Sequence, residues 1–281
     1  MKAVPALCLV TAVALGITSW VLLDAGARDD IAVPRTKTIL AGQSGELLAA
    51  RRSCAPTGLD ALVAQLTAAT RAKPDDRETF HQLAEAHLER ALSRSHRRGM
   101  VIGTPTWSEL PPELAADVDC GLAALLRARE LGDASGDLFR IEASLLSQRI
   151  TGITTAMQWN SRIQAALKKA GELAADDPQL HVALGLRKLL APKFFGHDAG
   201  KALEHFEFAA KTLALDERPA VFAAMATWLQ QKRTVAIGWL EQAVARNPQN
   251  EFARVVLRRL RAGEADPFGR DVTTAEAAAT K

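Results

Sequence analysis

The chain has no tyrosine and only three cysteines, and aromatic residues make up 5% of its 281 positions. Runs of β-branched residues are few outside the N-terminus, so strands are disfavoured and alanine- and leucine-rich helices are the expected element. No two cysteines stand close enough for a Cys-x-x-Cys-His haem attachment. Gly-x-Ser-x-Gly, the P-loop and the dinucleotide-binding glycine fingerprint are missing as well. With them go the short signatures of a serine hydrolase, a nucleotide hydrolase and a dehydrogenase. Nor is there an excess of charge: 35 Lys plus Arg against 32 Asp plus Glu leave a net +3, too balanced and dispersed for a nucleic-acid footprint. At 48% hydrophobic and 24% charged, the chain can still bury a sizeable core.

The segment Ala6 to Leu23 contains no charge, follows a lone Lys2 and stops at Asp24. It reads as an export signal or a short membrane anchor, near the lower length limit for spanning hydrocarbon. Ala25-Gly26-Ala27 offers a small-x-small cleavage pattern, whereas Trp20 and Val21-Leu22-Leu23 favour an uncleaved anchor with an interfacial aromatic. Either way the rest of the chain is exported, either anchored in the inner membrane facing the periplasm or periplasmic after cleavage behind Ala27. Residues 1–27 are therefore set apart, and 28–57, interrupted by Pro34, Gly42, Gly45 and Pro56, are read as a linker with a short turn of helix at Glu46 to Arg52. In an oxidising compartment Cys54 and Cys120 are candidates for a disulfide, the alternative being two small buried hydrophobes.

From Gly58 onward a phrase recurs: two short helices of small and apolar residues closed by an Asp-Asp, Asp-Pro or Asn-Pro turn. The clearest copy runs from Glu217 to Asn250, where Ala236, Leu240, Ala243 and Pro248 keep an Ala-x3-large-x2-Ala-x4-Pro spacing. In Leu62 to His87, Pro74 closes one unit, and Phe80, Leu83, Ala84 and His87 stand at the aromatic-x2-Leu-small-x2-aromatic positions of the next. Leu184-Gly185 repeats the Leu-Gly pair, and Ala202, Phe206 and Ala209 repeat the second-helix spacing. The pattern stops between residues 94 and 117, an inserted loop with Trp107 and a Pro111-Pro112 pair suited to starting a helix. That loop reads either as a binding lip carrying Trp107 or as an excursion that lays Trp107 over the hairpin core. An Arg-rich helix at Glu251 to Ala262 suits a terminal cap; its Arg254, Arg258, Arg259 and Arg261 read either as a basic stripe for a membrane surface or acidic partner or, as expected here with Glu251 and Glu264 flanking the run, as cations offsetting the helix dipole. Residues 263–281, small and polar, are expected to be mobile.

These residues resemble the tetratricopeptide repeat (TPR) family over roughly Leu59 to Ala262. The resemblance implies an all-α, right-handed superhelix of antiparallel helix pairs whose concave face, lined by first helices, binds a peptide or protein segment. Carried over by register, the groove candidates are Gln82, Glu85, His181, Lys188, Thr227 and Gln231, with Trp107 from the loop. The expected function is that of a non-catalytic interaction scaffold in the cell envelope, with a protein partner, a membrane contact through the N-terminal segment and no cofactor. The junction Gly196-His197-Asp198-Ala199-Gly200-Lys201-Ala202 is also similar to one in the periplasmic T component of TRAP-type transporters, although His197 departs from that family's Gly-Gly pair. It supplies an alternative, an accessory subunit of a solute transporter, which a pocket lined by Trp159 and Phe194-Phe195 would favour. His81, Glu85 and His87 cluster on one helix, as do His197-Asp198 and His205 nearby, but neither has the His-Glu-x-x-His spacing of a zinc site. Packing and capping roles are expected for them instead of metal ligation.

Overall fold

The Asp- and Asn-rich turns that punctuate the sequence supply acceptors at the starts of helices, as N-caps or, for Asp216, from the residue before the cap. Asp76 accepts hydrogen bonds from the Glu78 and Thr79 amides, Asp177 from Gln179, Asp198 from Gly200 and Lys201, Asp216 from Arg218, and Asn250 from Ala253. Each satisfies orphan first-turn donors, and Pro56, Pro112, Pro178 and Pro219 occupy first-turn positions where a missing N–H costs nothing.

The computed structural model describes residues 45–96 and 109–280, all within one compact unit, 39–281. These residues form α1 (Gly45–Arg52), α2 (Pro56–Ala72), α3 (Arg77–His96), α4 (Pro112–Glu130), α5 (Gly136–Ser147), α6 (Ile153–Leu173), α7 (Pro178–Leu190), α8 (Ala199–Thr212), α9 (Arg218–Leu229), α10 (Arg233–Arg246), α11 (Glu251–Ala262) and α12 (Thr274–Ala278), with a single 3-10 turn at Lys193–Phe195. No strand occurs among the described residues, so the expected all-α class holds there. No described helix is long and apolar enough to cross a membrane, and the apolar run 6–23 lies outside the described residues.

Helices pack on their sequence neighbours, α3 on α4, α5 on α6, α7 on α8, and α9 on both α8 and α10. Alternate helices also touch, α1 with α3, α3 with α5, α5 with α7 and α7 with α9. Helices α1, α3, α5, α7 and α9 thus stand side by side in one layer. Three apolar clusters follow the stack: one around Leu88, Leu114 and Val118, a middle one around Leu146, Ile163 and Leu180, and a third around Phe206, Met225 and Leu240. Close approach depends on small residues. A Cβ at Gly185 on α7 would stand 2.5 Å from a ring carbon of the fully buried Phe206 on α8.

Two regions differ from expectation. The segment after α11 is docked. Phe268 is fully buried with its ring 5.6 Å from that of Trp228. The fully buried Arg259 places all five of its donors, on the Pro267, Arg270 and Asp271 carbonyls and twice on the Glu276 carboxylate. A side chain expected to serve the helix dipole instead clasps the tail. The Cys54–Cys120 disulfide is absent, because Cys120 is a free, exposed thiol on α4 while Cys54 sits at the turn between α1 and α2 beside Asn247.

Gly185→Val is expected to lower unfolding free energy by about 1–3 kcal/mol or more, as overpacking of a tight core does. Urea denaturation followed by circular dichroism checks it, and trimming the opposing ring with Phe206→Leu should restore part of the loss.

Candidate functional site

On α3 the spacing of four residues puts His81, Glu85 and Glu89 on one face, and this stripe meets charged groups from four other elements. The His81 ring bonds Asp133 through Nδ1 at 2.6 Å and Asp137 through Nε2 at 2.9 Å. Arg140 on α5 bridges Asp137 and Glu85, reaching Glu85 at 3.2 Å. Further along, Arg218 at the start of α9 grips Glu89 in a two-pronged contact of 3.0 and 2.8 Å and Asp216 at 3.0 Å. The same Asp216 oxygen, Oδ2, also accepts from Arg51 of α1 at 2.9 Å, across 165 positions of sequence. Arg52 adds bonds to the carbonyls of Leu215 and Arg246, and Asn247 returns one to the Arg52 carbonyl. The first helix is therefore tied to the ninth and tenth, and that layer of helices is closed over at this end.

Electrostatics follow from this pairing. Burial alone would depress His81, but the Asp137 and Asp133 carboxylates outweigh it and raise the imidazole to about 9. Burial raises Glu85 to about 6, with Arg140 offsetting part of the effect. Burial would also raise Glu89 and Asp216, yet Arg218 and Arg51 prevail and hold both below the usual carboxylate range.

Between α1, α3, α9, α11 and α12 the closure leaves a cavity of about 350 Å³, walled by Arg51, Cys54, Glu89, Glu217, Phe222 and Phe252 among others. That is at the small end of ligand pockets. Two kinds of unusual group belong to residues that wall this space. Arg51, with 6% of its side chain exposed, leaves Nε and Nη2 without partners, and the buried Glu217 leaves Oε2 without one. A buried polar atom left unpaired costs about 1–3 kcal/mol. Cys54 also adopts φ +51°, a left-handed conformation that non-glycine residues avoid. Its thiol is pushed up by burial and by the Glu217 carboxylate.

No protein-family profile and no curated protein sequence matches the chain.

The residues expected from register are dispersed. Gln82 lies on α3 bonded to Glu78 at 3.0 Å, and Glu85 is buried against Arg140. His181 on α7 stacks on Phe208 with ring centroids 4.0 Å apart and meets His205 Nδ1 at 3.1 Å. Lys188 is half-buried two turns further along α7. Thr227 is fully buried, its hydroxyl donating to carbonyls of its own helix, and Gln231 is exposed at a turn with φ +61°. Trp107 lies outside the described residues. Trp159 packs under Arg149, and neither it nor Phe195 lines the cavity. The residues that do gather at one place, Arg51, Glu89, Asp216 and Arg218, were not singled out in the sequence. Their one local signal was the four-residue spacing of charge on α3. Among the described residues no group of three or more His, Cys, Asp or Glu side chains could hold a metal ion.

The His81 contribution has a defined pH window. Its folded-state value near 9 exceeds the unfolded 6.5, so its stabilisation is complete below pH 6.5 and is lost as pH rises through 9. Denaturant midpoints measured from pH 6 to 10 should fall more steeply for the unmodified chain than for His81→Gln. Parallel curves contradict the assignment.

Proposed function

We propose that the chain is an exported, TPR-like stack of helical hairpins, anchored by its apolar N-terminal segment or released after Ala27, that acts as a non-catalytic scaffold in the cell envelope. The observation that carries this reading is the layer of alternate helices, α3 against α5, α5 against α7 and α7 against α9, the arrangement by which hairpin repeats expose one continuous face to a partner. A protein or peptide segment is taken up along that face, with Gln82 and Lys188 as contact positions. Closure of the α1–α9 end leaves the part of the face on α3, α5 and α7 for that segment. Affinity then rests on a few anchors, not on area. The capped, ion-paired first turns keep the hairpins rigid, which lowers the ordering cost of binding.

Site-specific photo-crosslinking in cells tests it. A crosslinker at Gln82 or Lys188 should capture the same envelope protein, while one at Lys169, on the exposed side of α6, should not. Equal capture from all three positions, or from none, removes the scaffold reading. Recovery of a solute-binding protein with its permease replaces it with the transport accessory.

A further inference from the structure

Two imidazoles meet across the α7–α8 hairpin, outside the ion-paired network that closes the array. His181, in the first turn of α7, and His205, midway along α8, bring their Nδ1 atoms to 3.1 Å. The tautomers follow from the partners. His181 Nε2 lies 3.1 Å from the Ala175 carbonyl, which can only accept, so this nitrogen carries the proton and Nδ1 carries the lone pair. The hydrogen between the two rings therefore belongs to His205 Nδ1. Burial depresses both imidazoles, His205 to about 4 with help from His181 and Lys188. Both are uncharged at neutral pH, the state in which an imidazole ligates a metal.

Two nitrogens each about 2.0–2.1 Å from one ion stand about 3.3 Å apart at the tetrahedral angle and about 2.9 Å apart at a right angle. The observed 3.1 Å lies between these. The Ala175 carbonyl is the kind of outer partner that holds a ligating ring in place through its second nitrogen. Phe208 stacks on the His181 ring with centroids 4.0 Å apart. With Phe208 36% exposed and both histidines half-buried, the pair sits at the surface of the hairpin. Charge nearby is mixed: Asp177 and Asp176 favour a cation at His181, and Lys188 opposes one at His205.

From this set we infer that His181 and His205 form a two-histidine site for a divalent transition-metal ion such as Zn²⁺, bound between the two Nδ1 atoms with water in the remaining positions. Borderline ions suit imidazole, whereas Mg²⁺ and Ca²⁺ prefer oxygen. The chain supplies two ligands and not the full set of a structural zinc site, so the ion clips one hairpin and leaves its other positions to exchanging water. Binding relocates one proton: His205 gives up the hydrogen on Nδ1 and takes one on Nε2, with no net change of charge on either ring. The site stands apart from the scaffold reading, since the ion needs no partner on the helical face.

Isothermal titration of the purified full-length chain with Zn²⁺ tests it, with Mg²⁺ as the control. Saturable Zn²⁺ binding at submillimolar concentration is expected, and no response to Mg²⁺. His181→Gln and His205→Gln should each remove one equivalent of bound Zn²⁺ or weaken it at least tenfold, while thermal unfolding still shows one cooperative transition. His197→Gln, whose ring bonds the Leu189 carbonyl in the unmodified chain, should leave binding unchanged. Where a histidine variant fails to fold, NMR of the imidazole nitrogens in the unmodified chain carries the test. The two rings should start as opposite tautomers, and Zn²⁺ should convert His205 to the Nε2–H form. Absence of saturable Zn²⁺ binding overturns the proposal, as does an equal response to Mg²⁺, undiminished binding by either folded histidine variant, or a His205 ring that keeps its tautomer at saturating Zn²⁺.

Discussion

The Asp216 carboxylate is the contact on which the closed arrangement depends. It caps α9 through the Arg218 amide, pairs with the Arg218 guanidinium and receives Arg51 from the first helix. Because it is 3% exposed, each of these contacts acts where water does little to screen it. A buried pair of this kind adds little net stability over an apolar substitute, but removing one partner strands the other and costs about 3–5 kcal/mol. Its consequence is geometric. A stack of hairpins in which each unit touches only its neighbours can remain open, whereas one whose first helix is pinned to its ninth cannot open without stranding buried charge.

Two further features belong to the same region. Helix α9 is buried nearly all round, ten of its residues being covered, because α8 and α10 both pack against it and Phe268 of the tail meets its Trp228. A helix apolar on every face is what such a position requires. The tail completes the cover through Arg259, Phe268 and Glu276, and the space left between α1, α3, α9, α11 and α12 is the cavity with Arg51 in its wall. Rigid hairpins and the cavity thus arise from the same contacts.

How much of this was legible in the sequence depends on how local the cause is. The Asp and Asn turns, Pro111-Pro112 and the Leu184-Gly185 pair act within one or two helical turns, and helices begin or pack where their chemistry requires. Gly185 and Phe206 each stood at a repeat position, and the structure adds that the two meet. The pairing of Arg51 with Asp216 left no trace, since contacts 165 positions apart have no period, and Arg51 stood in a stretch punctuated like a linker. Glu85 and Arg259 show another limit. A charged residue at helical spacing looks the same on a solvated face as in a buried pair, so Glu85 read as a groove contact and Arg259 as a surface cation. The candidate site was therefore hidden where the fold was plain.

The most direct test of the account is a double-mutant cycle on Arg51 and Asp216, using Arg51→Met, Asp216→Asn and the pair, with unfolding free energies from urea titration. The account predicts that each single change destabilises and that the double change costs less than their sum, with a coupling of about 1–3 kcal/mol. Additive losses would mean that the two side chains do not hold the first and ninth helices together, and the closed array with its cavity would fall with that result.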